Sequence, residues 1–123
     1  MIVVGSGIAG LYTSIEVGRQ VKVAVVNKSS LEECNTKYAQ GGIAAAIGPF
    51  DSPNLHFSDT MRAGAGLVDA TAARILVDEA PDRIGDLISL GVLFDTVDGE
   101  ITLAREGAHT VPRVLHAGGD ATG

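Results

Sequence analysis

Apolar and polar positions along the first 27 residues set out three elements. Met1–Val4 is a short β-branched run closed by Gly5, the pattern of a buried strand. From Gly7 to Val17 the apolar residues Ile8, Leu11 and Ile15 recur at helical spacing, with Gly18 as the stop. Val21, Val23 and Val25 then alternate with Lys22 and Ala24 as a second strand ending at Asn27. Strand, glycine turn, helix and strand in so short a space form a βαβ unit with a parallel pair.

The rhythm then breaks. Ser29–Tyr38 is polar and irregular, and "NTKYAQGGIAAAIG" (Asn35–Gly48) reads as a loop followed by small apolar residues. A turn is expected at Asp51–Pro53, with a helix from Asn54. Asp69 is an N-cap candidate for a helix whose apolar face is Ala72, Ile75 and Leu76. Pro81 suits the first turn of a new helix carrying Ile84, Leu87 and Ile88 and ending at Gly91. "VLFDTVDGEITLARE" predicts a hairpin turning at Asp98–Gly99. The closing "HAGGDATG", with Asp120 or Thr122 as a cap, reads as the start of another element, so the chain is expected to be a fragment.

Composition adds modest constraints. The 123 residues suffice for about one domain, with a core of Val, Ile, Leu and Ala because only 4% are aromatic. Sixteen glycines are about twice the usual share and point to tight turns or close backbone approach to a ligand. A net charge of −6 with scattered Lys and Arg argues against a nucleic-acid partner. "MIVV" is too short for a signal peptide, and no apolar run reaches the ~18 residues of a membrane span, so a cytoplasmic location is expected. The lone Cys34 has no metal or nucleophile partner at a useful spacing, and no metal site is expected.

The chemistry lies in the glycine clusters. Gly5-Ser6-Gly7-Ile8-Ala9-Gly10 is G-x-G-x-x-G between a strand and a helix, the context in which that pattern signifies a dinucleotide. Gly5 permits the tight turn, Gly7 lets backbone donors approach a pyrophosphate, and Gly10 lets helix and strand pack. The helix N-terminus supplies unpaired N–H groups and partial positive charge. The acidic residue expected about 20 positions later for a ribose is missing. Asn27-Lys28 stands there instead, followed by Glu32 and Glu33, which leaves two options: NADP, with Lys28 on a 2′-phosphate, or a flavin. "AQGG" favours the flavin, since Gly41 and Gly42 offer backbone donors and Gln40 an amide to a polar ring edge.

Taken together, "GSGIAGLY", "NTKYAQGGIAAAIG", "DSPNLHFSDTMRAGAGL", "LGVLFD" and "REGAHTVPRVLHAGGDATG" resemble the L-aspartate oxidases. These belong to the succinate dehydrogenase/fumarate reductase flavoprotein superfamily. The resemblance runs the length of the chain and implies an α/β, Rossmann-like FAD-binding domain with a parallel sheet, of which residues 1–123 are the N-terminal portion. The rest of the domain and its capping domain are expected elsewhere. It implies FAD as cofactor, with Ser6–Ala9 at the pyrophosphate and Lys28 near the adenosine, which displaces NADP. Asn35, Thr36, Lys37, Tyr38, Ala39, Gln40, Gly41 and Gly42 match the segment that wraps the flavin. Glu106 matches the glutamate that orients the substrate's amino group, and His109 beside it is a second active-site candidate.

The implied reaction is oxidation of L-aspartate to iminoaspartate, with O2 (giving H2O2) or fumarate as acceptor. It is the first step of NAD biosynthesis through quinolinate, with quinolinate synthase as a partner. Asn35 replaces the histidine that bonds the flavin covalently in succinate dehydrogenases, so non-covalent FAD is expected. The family's catalytic arginine and substrate histidines lie downstream, and residues 1–123 alone are expected to be inactive and to bind FAD weakly. Where the family has "REGGHS" and "RRILHA", this chain has "REGAHT" and "PRVLHA". Ala108 is therefore strained if its position needs a positive φ. His56 is expected at the surface or in packing, and His116 as a hydrogen-bonded structural residue. The alternatives are a fumarate reductase or succinate dehydrogenase flavoprotein, and a non-catalytic NADP-binding module.

Overall fold

The computed structural model describes residues 1–120, so Thr122 as a cap lies outside the described residues. The chain divides into two compact units, the first Met1–Gln40 and the second beginning at Gly41.

The first unit is the βαβ unit read from the sequence. Strand β1 (Ile2–Val4) pairs in parallel with β2 (Ala24–Val26), joined by helix α1 (Ile8–Gly18). The second strand starts later than its alternation predicts, because the N–H groups of Gln20 and Val21 still donate to the Val17 carbonyl. Gly18 is the last helical residue rather than the stop; Arg19 caps the helix in right-handed geometry.

In the second unit, β3 (Ile43–Ala44) opens the chain into helix α2 (Pro53–Ala63). Ser52 caps α2 by accepting from the Leu55 N–H at 3.1 Å, with Pro53 in the first turn, so the helix begins one residue earlier than expected. Asp69 caps helix α3 (Ala70–Ser89) by accepting from the N–H groups of Thr71 and Ala72. The helix ends in a Schellman motif: Gly91 has φ +100°, its N–H reaches the Ile88 carbonyl, and the Val92 N–H reaches that of Leu87.

Two expectations for α3 are corrected. It is one helix of 20 residues with Pro81 inside it, not two helices. Its buried residues are Ala73, Val77 and Ile84, while Ile75 and Leu76 are exposed. Both corrections have one cause. The stripe Ala73, Val77, Ala80, Ile84, Leu87 keeps i, i+3, i+4 spacing through the proline. Burying its Val and Ile contributes roughly 1.5–3 kcal/mol each. The interior proline costs about 3 kcal/mol, so the packed stripe outweighs it.

Strands β4 (Thr96–Val97) and β5 (Glu100–Ile101) form the expected hairpin, with Asp98 at φ +53° and Gly99 at φ +84°, the backbone of a type I′ turn. Strands β6 (Leu103–Ala104) and β7 (Val114–Leu115) complete an antiparallel sheet of order β3-β7-β6, which the sequence did not announce. Its core joins Ala45, Ile84, Phe94 and Leu115. The small apolar run "IAAAIG" that follows the loop thus supplies β3 and the entry to the core. Among the described residues no helix is long and apolar enough to cross a membrane.

Candidate functional site

In the first unit the glycine turn is built as its spacing requires. Gly5 has φ +102°, and its N–H donates to the Val26 carbonyl at 2.9 Å, binding the turn to the end of β2. A side chain at Gly10 would bring its Cβ within 2.2 Å of the Gly5 carbonyl oxygen, so only glycine lets α1 start this close to β1. Thr36 Oγ1 accepts from the Ile8 N–H at 3.1 Å and lies 3.3 Å from where a Gly7 Cβ would stand. That contact joins "GSGIAG" to "NTKYAQ". Ser6 is 1% exposed, and its Oγ has no partner among the described residues.

The other candidates of this unit lie at its surface. Lys28 follows β2 and is exposed, with Asn27 folding its amide onto the Ser30 carbonyl. Asn35 leads into a 3-10 turn, Thr36–Tyr38. Lys37 pairs with Glu32 at 3.4 Å, and the Tyr38 hydroxyl donates to Glu33 at 2.9 Å. The acidic pair Glu32–Glu33 therefore braces the loop. Ala39 and Gln40 are exposed.

The adjacent glycines at 41 and 42, which belong to the second unit, are required for different reasons. Gly41 has φ +99°, and its N–H donates to the Asp120 carbonyl at 3.1 Å. Gly42 leaves no room for a side chain. A Cβ there would lie 2.3 Å from Val114 Cγ1, 2.5 Å from the Leu115 oxygen and 3.0 Å from His116 Nε2. His116 Nε2 in turn stands 3.1 Å from Glu106 Oε1. Gly42 and Glu106, two candidates from distant motifs, thus meet one histidine.

His109 belongs to a second cluster, around a residue the sequence reading passed over. Arg113 is fully buried and holds Asp51 with two bonds, Nε to Oδ2 at 2.8 Å and Nη2 to Oδ1 at 2.9 Å. Its Nη1 donates to Asp59 Oδ2 at 2.8 Å and lies 3.1 Å from His109 Nδ1. A guanidinium has no lone pair to offer, so His109 Nδ1 is the acceptor and the neutral ring carries its hydrogen on Nε2. Asp59 also accepts from the N–H and hydroxyl of Thr110, at 2.8 and 2.9 Å, and from Arg62. Burial raises the Asp59 carboxyl, but these donors and the charge of Arg113 more than offset it and hold it well below the usual carboxylate range. Burial works against the charged form of Arg113 too, and the two aspartates overcome it to raise the guanidinium further.

His56 is buried rather than at the surface, edge-to-face with His109 at 5.7 Å between ring centres, and its Nδ1 has no partner among the described residues. Its pKa is lowered, first by burial and then by the charge of Arg113. Asp59, Thr60, Ala63, Val68, Ala108 and His109 line a cleft of about 420 Å³. At its rim Ala108 has φ +69°, the positive value under which a methyl is strained by about 1–2 kcal/mol. The one available sign of the Arg113 cluster was an arginine leading the apolar strand "RVL", a place where a charge survives only if paired.

The first unit fits a dinucleotide. It has a glycine turn in which Gly10 leaves no room for a side chain, a helix N-terminus whose N-cap Gly7 supplies no side-chain cap, and an orphaned buried hydroxyl in Ser6. Comparison with known proteins agrees. The sequence profile of the FAD binding domain matches residues 1–123. The L-aspartate oxidase of Streptomyces coelicolor is 48% identical over 125 residues, which is 100% of this chain and 22% of that protein. Other L-aspartate oxidases match at similar identity. Among solved structures, the Mycobacterium smegmatis Sdh1 complex in the apo form superposes with a TM-score of 0.90 at 43% identity, over 98% of this chain and 21% of that one. A quinol-fumarate reductase with menaquinol molecules gives 0.91 at 27% identity, over 99% of this chain and 22% of that one. The chain thus spans about a fifth of the length of the proteins it matches.

Proposed function

Since the chain belongs to the FAD binding domain family, among the flavoproteins related to succinate dehydrogenases and fumarate reductases, we propose that it forms the N-terminal part of an L-aspartate oxidase. The observation that carries this reading is the 48% identity to an L-aspartate oxidase across the whole chain, set beside a turn built for a dinucleotide. FAD is the cofactor of the family, and NADP on Lys28 is set aside.

In this proposal FAD supplies the acceptor for the hydride that leaves Cα of L-aspartate. The protein's part is to bind and orient. The first-turn donors of α1 and Ser6 would hold the pyrophosphate within Gly5–Gly10, and Lys28 the adenosine side. Asn35, Thr36, Lys37, Tyr38, Ala39, Gln40, Gly41 and Gly42 would wrap the flavin. Glu106 would accept from the substrate ammonium, and His109, neutral while Arg113 holds Nδ1, would offer Nε2–H as a donor rather than act as a base. O2 or fumarate as acceptor, a cytoplasmic location, quinolinate synthase as partner and the NAD-biosynthetic role belong to the same proposal.

The test is direct. The intact enzyme, mixed anaerobically with L-aspartate, is expected to lose its yellow flavin absorbance and, in air, to yield imine and H2O2. Bleaching by succinate but not by L-aspartate would move the reading to a succinate dehydrogenase or fumarate reductase. With Asn35 in place of the bonding histidine, acid precipitation is expected to release all the flavin into the supernatant. Flavin retained in the pellet would overturn the non-covalent reading.

A further inference from the structure

The contact between His116 and Glu106 has a functional consequence that neither residue type announces. The Glu106 carboxylate carries no hydrogen, so at 3.1 Å His116 Nε2 must be the donor, which fixes the histidine's tautomer when neutral. The two partners differ in how firmly the fold holds them. His116 follows the fully buried Leu115 of the central strand β7, and its carbonyl accepts from the Asp95 N–H at 2.8 Å. Gly42 packs directly against its ring, 3.0 Å from Nε2 to the place a Cβ would take. Glu106 stands on a loop with its side chain about half exposed (49%), where a free carboxylate samples several rotamers. The ordered imidazole therefore directs the mobile carboxylate. Glu106 Oε2 has no partner among the described residues, which leaves it open to an incoming cation.

We propose that His116 is a positioning residue for the substrate's ammonium group: through Nε2–H it holds Glu106 Oε1 and thereby aims the remaining oxygen at the amine, with Gly42 keeping the space His116 needs. This rests on the aspartate-oxidising reading above. It predicts a selective effect, because only ligands with an amine depend on Glu106.

The experiment uses the intact, flavin-loaded enzyme and its His116→Ala and His116→Gln variants. The dissociation constant of L-aspartate is taken from the anaerobic rate of flavin reduction. That of succinate, a dicarboxylate without an amine, comes from its perturbation of the flavin spectrum. His116→Ala is expected to weaken L-aspartate about tenfold, the scale of one hydrogen bond to a charged group, and to leave succinate within about twofold. His116→Gln, which keeps a donor, recovers part of the loss. In a Glu106→Gln background the same His116→Ala change has no further effect on L-aspartate. Equal weakening of both ligands would show a merely structural role, and unchanged L-aspartate binding would show none; either result overturns the proposal. Full flavin content in each variant serves as the folding control, and a His116→Ala variant that loses flavin hands the decision to His116→Gln, alone and in the Glu106→Gln background, read against the same two ligands. Wild-type enzyme that binds succinate but reduces no flavin with L-aspartate would overturn the aspartate reading itself, and this proposal with it.

Discussion

At the scale of single residues, the second unit concentrates its polar cost in one place. Arg113, Asp51 and Asp59 are buried together, and every nitrogen of the guanidinium meets an acceptor. Removing one member of such a cluster leaves an uncompensated charge, which is far costlier than the net worth of the pair. His56 lies against this cluster and stays neutral because protonation would place a second buried cation beside Arg113. Its folded pKa is depressed, so the unfolded chain takes up the proton first. The stability His56 contributes is complete above its ordinary value near 6.5 and is lost as the pH falls from there through the lower folded value. The urea midpoint of the intact enzyme is therefore expected to decline from pH ~7.5 to ~5, and His56→Gln to remove part of that slope. Parallel slopes for the two proteins would contradict this account.

Elements were legible in proportion to how local their causes are. The cap at Asp69, the stop at Gly91 and the Asp98–Gly99 turn depend on neighbours within a few residues, and the structure has each of them. Helix α3 shows the opposite case. Its sequence offers two apolar faces about 100° apart, and only packing against Phe94, Leu115 and Ala45 selects the one that runs through Pro81. That proline deprives the helix of one hydrogen bond, to the carbonyl of Val77. Pro81→Ala is expected to raise the stability of the intact enzyme by about 1–3 kcal/mol, read as a higher melting temperature. A lower melting temperature would mean that the ring itself packs usefully.

For the molecule as a whole, the first unit is the less self-sufficient. A parallel pair is normally covered on both faces, yet Ile2, Val4 and Val26 are exposed, and α1 buries no residue fully. A dinucleotide turn depends on that strand–helix corner holding still. Residues 1–123 produced alone are therefore expected to bind an apolar dye strongly and FAD more weakly than micromolar, by titration of flavin fluorescence. Micromolar or tighter FAD binding would show that this corner needs no further cover.

The sequence by itself determined the βαβ unit, its glycine turn, the Asp69 cap and the hairpin, because each follows from backbone preferences within one short segment, and the family, because its motifs recur along the chain. Only the tertiary structure decided the rest: the antiparallel β3-β7-β6 sheet, the buried face of α3, the Arg113 cluster and the meeting of Gly42, His116 and Glu106. Arg113 lies 62 residues from Asp51 and 54 from Asp59. Polar groups so far apart have no local signature, and they come together because a charge carried into the core by a central strand must find its counter-charges there.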